Sequence, residues 1–180
     1  LMKPMPNYAR RNDLFQVWLR PLRDNNDAVF ATRTALYEID QLVAHGVSEA
    51  QFEASRSFLR KYVAQLTATS ALQQGYSLDS RYYATPEFVD YVRAGLDALS
   101  RDEVNAAIRR HLRSGAMQFV FVSRDAQGLA RMLASDQPTP IKYNTGRPQA
   151  LLDEDRIIAK WPLAMRKADI RIVKDTEVFE

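Results

Sequence analysis

The chain has 180 residues, 46% of them hydrophobic and 26% charged, with a formal net charge of +3 and no cysteine. Those values suit a folded domain with a proper core, and they exclude wholesale disorder, a disulfide framework, a thiolate nucleophile and a cysteine metal site. The charge is too small, and the aromatic and basic residues too little interleaved, to point to nucleic acid; no apolar run approaches the roughly 20 residues that cross a bilayer.

Residues 1–13, with Pro4, Pro6, Arg10 and Arg11, carry no period and are expected as a loose leader. A leucine stands ahead of Met2 and no signal peptide follows, so a piece of a longer protein is expected, and where that parent resides is left open. Residues 14–20 alternate, Phe15, Val17 and Leu19 against Gln16, Trp18 and Arg20, which predicts a half-buried strand ended by Pro21. The polar stretch 24–27 then offers Asp and Asn side chains as a helix N-cap.

Residues 27–66 organise the rest. Ala28, Thr32, Ala35, Leu36, Ile39, Leu42 and Val43 recur at helical spacing, and Phe52, Ser55, Leu59, Tyr62, Val63 and Leu66 repeat the pattern, so two amphipathic helices are predicted. Gly46 ends the first in a left-handed conformation, and Ser48 with Gln51 forms a capping box that starts the second. A short helix broken at Gly75 is expected over 71–83. Thr85 and Pro86 then read as N-cap and N1 of a helix through Phe88, Val89, Tyr91 and Val92 that Gly95 closes.

Ser100 and Glu103 make a second capping box, opening a helix with Val104, Ala107, Ile108 and Leu112 on its buried face. Residues 117–123 are almost continuously apolar and read as a central strand. Asp125 caps a short helix ending near Ala134. Beyond it Pro138, Pro140, Pro148 and Pro162 leave extended pieces over 157–161 and 170–173.

The chemical inventory is thin. His45 and His111 are the two histidines; each falls at a helix C-terminus, where an imidazolium meets the last carbonyls, and neither has a ligand partner four residues away. Arg109, Arg110 and Arg113 around His111 could form a phosphate patch or a solvated helix end. Asp153, Glu154 and Asp155 could be a hard-cation cluster, but no glycine loop frames them. Tyr82 and Tyr83 beside Arg81, with Tyr76, form an aromatic and basic knot able either to pack or to grip a peptide. No catalytic, cofactor-binding or metal residue is assigned.

Taken together, the helical stretch with Ile39, Leu42, Gly46, Val47, Ser48, Phe52 and Ala54, the later Leu99, Ser100, Glu103 and Val104, and the apolar run behind them resemble part of an insulinase-like (pitrilysin, M16) zinc metallopeptidase. The likeness spans residues 14–134, and the tail 135–180 is similar to the closing segment of bacterial members. It implies a non-catalytic C-terminal domain of α+β fold, a mostly antiparallel sheet with helices on one face. It also implies one wall of a chamber for unfolded peptides, zinc in a separate catalytic domain, and that domain as partner. The zinc-binding HxxEH motif is absent here, and Tyr8, Arg10 and Arg11 do not keep the spacing of the family's substrate-holding tyrosine and arginine. A dimer through an exposed sheet edge at 14–20 is expected as well. The alternatives are an inactive, assembly-type relative and a binding module using the arginine-rich helix end or the tyrosine knot.

Overall fold

A computed structural model describes residues 15–177; the leader expected over 1–13, Leu14 of the first expected strand and residues 178–180 lie outside them. Seven α-helices run in chain order through the described residues: α1 (Asn25–His45), α2 (Glu49–Tyr62), α3 (Ser70–Tyr82), α4 (Phe88–Ala98), α5 (Arg101–His111), α6 (Ala126–Ser135) and α7 (Gln149–Ile158). Short 3-10 turns join or follow them, and no described residue is in a strand.

The expected α+β architecture with a mostly antiparallel sheet is therefore corrected to an all-helical one. A strand exists only where a neighbour exchanges backbone hydrogen bonds with it. Residues 15–20 and 117–123 have no regular structure, and the backbone of 118–122 makes no hydrogen bond to any described residue. Side-chain alternation reports a two-residue period; it does not supply the partner. Residues 15–20 are exposed on both faces, against the half-buried strand expected there.

The chain divides into two compact units, one from 15–16 and His45–His111, the other from Val17–Ala44 and 112–177. In the first, Phe52, Val63 and Tyr76 form the buried centre, and the Tyr76 ring stacks on Phe88 of α4 at 4.1 Å. Both expected capping boxes are present. Ser48 caps α2 with Gln51 reaching back to the Ser48 N–H at 2.8 Å, and Ser100 caps α5 with Glu103 accepting from its N–H at 2.8 Å and its hydroxyl at 2.7 Å. The Ser100 hydroxyl, then its backbone N–H, hold the Glu103 carboxyl below its ordinary value. A depressed carboxyl pKa stabilises the fold above the ordinary glutamate range, and that contribution goes as pH falls through the depressed value. Ser100→Ala is expected to move the Glu103 titration upward toward the free-glutamate value in an NMR pH series.

Gly46 turns the chain with φ +70, as expected, and a Cβ there would lie 2.5 Å from Asn105 Oδ1. That Asn105 side chain is committed: its Oδ1 accepts from Val47 N–H at 2.8 Å and its Nδ2 donates to Val47 O at 3.2 Å. Gly46→Ala then combines left-handed strain with loss of two hydrogen bonds, and an unfolding free energy lower by about 2 kcal/mol is expected in urea denaturation. Asn105→Ala in the same background should add less than its effect alone, because its partner is already displaced.

Three helix limits differ from expectation. Gly75 does not interrupt α3, since it is buried and packs within the unit, and Thr69 rather than Ala71 sets the start by accepting from Leu72 N–H. α4 starts two residues later than Thr85 and Pro86 suggest, with Glu87 in the N-cap position, and Gly95 lies inside α4, its carbonyl accepting from Leu99 N–H at 3.1 Å. Residues 157–161 are not extended, because α7 runs to Ile158 and turns through Ala159.

The second unit packs α1 against α6 and the segment after α7. Val29, Leu36, Leu129, Leu133 and Leu163 form its core, and Phe30 meets Ile158 and Ala159 beside them. Arg33, on the same face of α1, is 0% exposed; its guanidinium donates to Trp161 O and to Gln137 O at 2.9 Å and pairs with Asp136 Oδ1 at 3.0 Å. Asp125 caps α6 as expected, accepting from Gly128 N–H at 2.8 Å.

Candidate functional site

The residues singled out in the sequence do not converge. His45 ends α1 and His111 ends α5, both exposed. Among the described residues no three His, Asp or Glu side chains come together as a metal site. Asp153, Glu154 and Asp155 lie on α7 and do not converge: Asp153 accepts from Gln149 at 2.8 Å and Arg156 at 2.6 Å, and Asp155 accepts from Tyr143 Oη–H at 2.8 Å. Burial first, then that bond to Asp155, push the Tyr143 hydroxyl above its ordinary pKa.

The tyrosine knot is split by its own helix. Tyr76 is core, whereas Tyr82 and Tyr83 are exposed and meet each other edge to face at 4.9 Å. Arg109, Arg110 and Arg113 are exposed at and after the end of α5, where positive charge complements the helix dipole.

What the first unit does build is a polar cleft of 490 Å³ between α2 and α4, lined by Glu53, Arg56, Ser57, Arg60, Lys61, Arg93 and Asp97. The spacing explains it. Positions 53, 56, 57, 60 and 61 share one face of α2, and 93 and 97 lie one turn apart on α4. Glu53 binds Arg56 at 2.6 Å, Asp97 binds Arg60, and the Arg56 guanidinium rests over the Phe52 ring at 5.0 Å. Half-buried Arg93 donates its Nε to Arg60 O at 3.3 Å, which aims the guanidinium while leaving its two amino groups uncommitted. Sequence reasoning passed over this cleft. Its signal was the polar stripe of α2 that borders Phe52, and an exposed stripe gains meaning only once α4 is seen beside it.

The second unit offers an apolar surface instead. Met117 and Phe121 pack on the core, while Val120 and Val122 of the same segment are 92% and 100% exposed. The segment is pinned at its end by Ser123 Oγ–H donating to Asn25 Oδ1 at 2.7 Å. Among the described residues no helix is long and apolar enough to cross a membrane. Scans of the chain against family models, curated proteins and solved structures return no match.

Proposed function

We propose that the chain is a non-catalytic wall element of an insulinase-like (pitrilysin) zinc peptidase, working beside a separate domain that carries HxxEH and the zinc. The observation that carries this reading is the one-sided packing of residues 117–123: one face rests on the core, and the other offers Val120 and Val122 to solvent. An uncovered apolar face of this kind favours a protein partner. A wall that closes a chamber needs such a face.

A second support comes from the residues on which the resemblance rests. Gly46 makes the left-handed turn, Val47 is gripped by Asn105, Ser48 and Ser100 cap helices, and Phe52 is core. These five lie in one unit, while Ile39, Leu42 and the apolar run 117–123, which also carry the resemblance, belong to the other. On this reading the chain performs no bond chemistry. It binds the catalytic domain of the same or a paired chain and helps hold an unfolded peptide. The sheet edge expected at 14–20 as a dimer contact is not formed by any described residue; without the catalytic domain, the uncovered face of Val120 and Val122 can instead bring two copies together.

The test combines the purified chain with an HxxEH-bearing catalytic domain of this family and follows cleavage of a quenched fluorescent peptide. Cleavage several-fold faster than with the catalytic domain alone is expected, and none with this chain alone. A catalytic domain that is fully active by itself and does not bind the chain overturns the reading.

A further inference from the structure

We propose that the α2–α4 cleft is an anion site for a single phosphoryl group, with Lys61 and Arg93 as its ligands. The charges around it do not balance: four cations, Arg56, Arg60, Lys61 and Arg93, face two carboxylates, Glu53 and Asp97. The carboxylates are already engaged by Arg56 and Arg60, so the uncompensated charge belongs to Lys61 and Arg93. Neither has a carboxylate partner among the described residues.

The two are differently suited and complementary. Arg93 is half-buried and held through its Nε by Arg60 O at 3.3 Å, so its planar fork is oriented before any ligand arrives. Lys61 is exposed on the last turn of α2 and supplies a mobile point charge. The Ser57 hydroxyl, one turn earlier on the same face, adds a neutral donor.

The lining also selects the shape of the anion. With Glu53 and Asp97 paired to Arg56 and Arg60, a long polyanion finds no further uncompensated positive charge along the lining. A compact dianion seated between Lys61 and Arg93 meets only the uncompensated pair. Charge-assisted hydrogen bonds to two donors of this kind favour a phosphoryl oxygen set over a monovalent carboxylate. Two sources fit that chemistry, a phosphorylated side chain of another protein and a small phosphate ester. This proposal does not depend on the peptidase reading.

The experiment titrates the isotope-labelled full chain with inorganic phosphate at low ionic strength and follows the Lys61 and Arg93 side-chain signals by NMR. Saturable shifts confined to the cleft are expected, with a Kd of about 1–10 mM that weakens as sodium chloride is raised. Lys61→Gln and Arg93→Gln should each weaken binding about three- to tenfold, whereas Lys174→Gln, in the other unit, should leave it unchanged. Lys61 is exposed, so its variant keeps the fold and remains informative if the Arg93 variant does not. Glycerol 3-phosphate and a phosphoserine tetrapeptide form the other two arms. Tighter binding of one assigns the source, and equal binding assigns recognition to the phosphoryl group alone. Shifts that fail to saturate, or equal affinity in the Lys61 and Lys174 variants, overturn the proposal.

Discussion

Replacing Arg33 by alanine is expected to lower the unfolding free energy by about 3–5 kcal/mol, through the cavity left by a large buried side chain and the loss of its hydrogen bonds. The side chain is wholly buried on the core face of α1, and its three bonds reach different parts of the second unit: Asp136 beyond α6, Gln137 O, and Trp161 O. Truncation leaves a cavity and takes the donor from Trp161 O, with its desolvation penalty, while Gln137 O keeps the Thr139 hydroxyl at 3.0 Å. Asp136→Asn keeps an Oδ1 acceptor for the Arg33 and Leu163 N–H groups but takes the counter-charge from a wholly buried guanidinium, so it should cost about 1–3 kcal/mol. Arg33→Met should recover part of the loss, because the Arg33 Nε already lacks a partner and the aliphatic stem is retained. Urea denaturation followed through Trp161 reads all three; its Nε1–H donates to Asp40 at 3.0 Å and its ring meets Tyr37 edge-on. Trp18, 68% exposed in the folded chain, adds a nearly constant background. A loss below about 1 kcal/mol for Arg33→Ala would mean that the buried pair barely offsets its own desolvation.

Arg33 also marks where sequence reading stopped. The position falls between Val29 and Leu36 on the apolar stripe of α1, and a charge there is itself a sign of a buried partner, yet nothing local says that the partner is Asp136, 103 residues on. Local chemistry was legible wherever it closes on itself. The Ser48 and Ser100 boxes and the Asp125 cap satisfy their bonds within a few residues, the Gly46 corner announces itself by its glycine although Asn105 holds it from afar, and the structure has all four. Glycine misled at 75 and 95 because a helix need not end at it: Gly75 is a buried position inside α3, and Gly95 is carried within α4 with open space around it.

The sheet failed for a different reason. Residues 117–123 keep their period of two, with Met117 and Phe121 inward and Val120 and Val122 outward, but pairing depends on residues far away in sequence or in another chain. The polar cleft was hidden in the same way: Glu53, Arg56 and Arg60 form a readable face of α2, and its meaning waits on Arg93 and Asp97. Helices, satisfied internally, can be read one at a time; surfaces can be read only in pairs.

Val120→Asp with Val122→Asp should abolish stimulation of the catalytic domain, a fall of tenfold or more, while leaving the melting temperature within a degree or so of the parent. The two side chains are 92% and 100% exposed, so carboxylates there stay hydrated in the free chain and disturb no core contact. In a complex they must be dehydrated against an apolar face, and each unpaired buried carboxylate costs several kcal/mol. The same double variant should remove self-association in sedimentation velocity, since two copies would bring four carboxylates together. Lys174→Asp, another exposed position in the second unit, is the matched control and should change neither readout. Phe121→Asp serves the opposite purpose: Phe121 packs on the core, so that variant should lose stability as well as stimulation. Stimulation that survives in the Val120/Val122 variant would move the partner surface away from 117–123 and take with it the observation on which the wall reading stands.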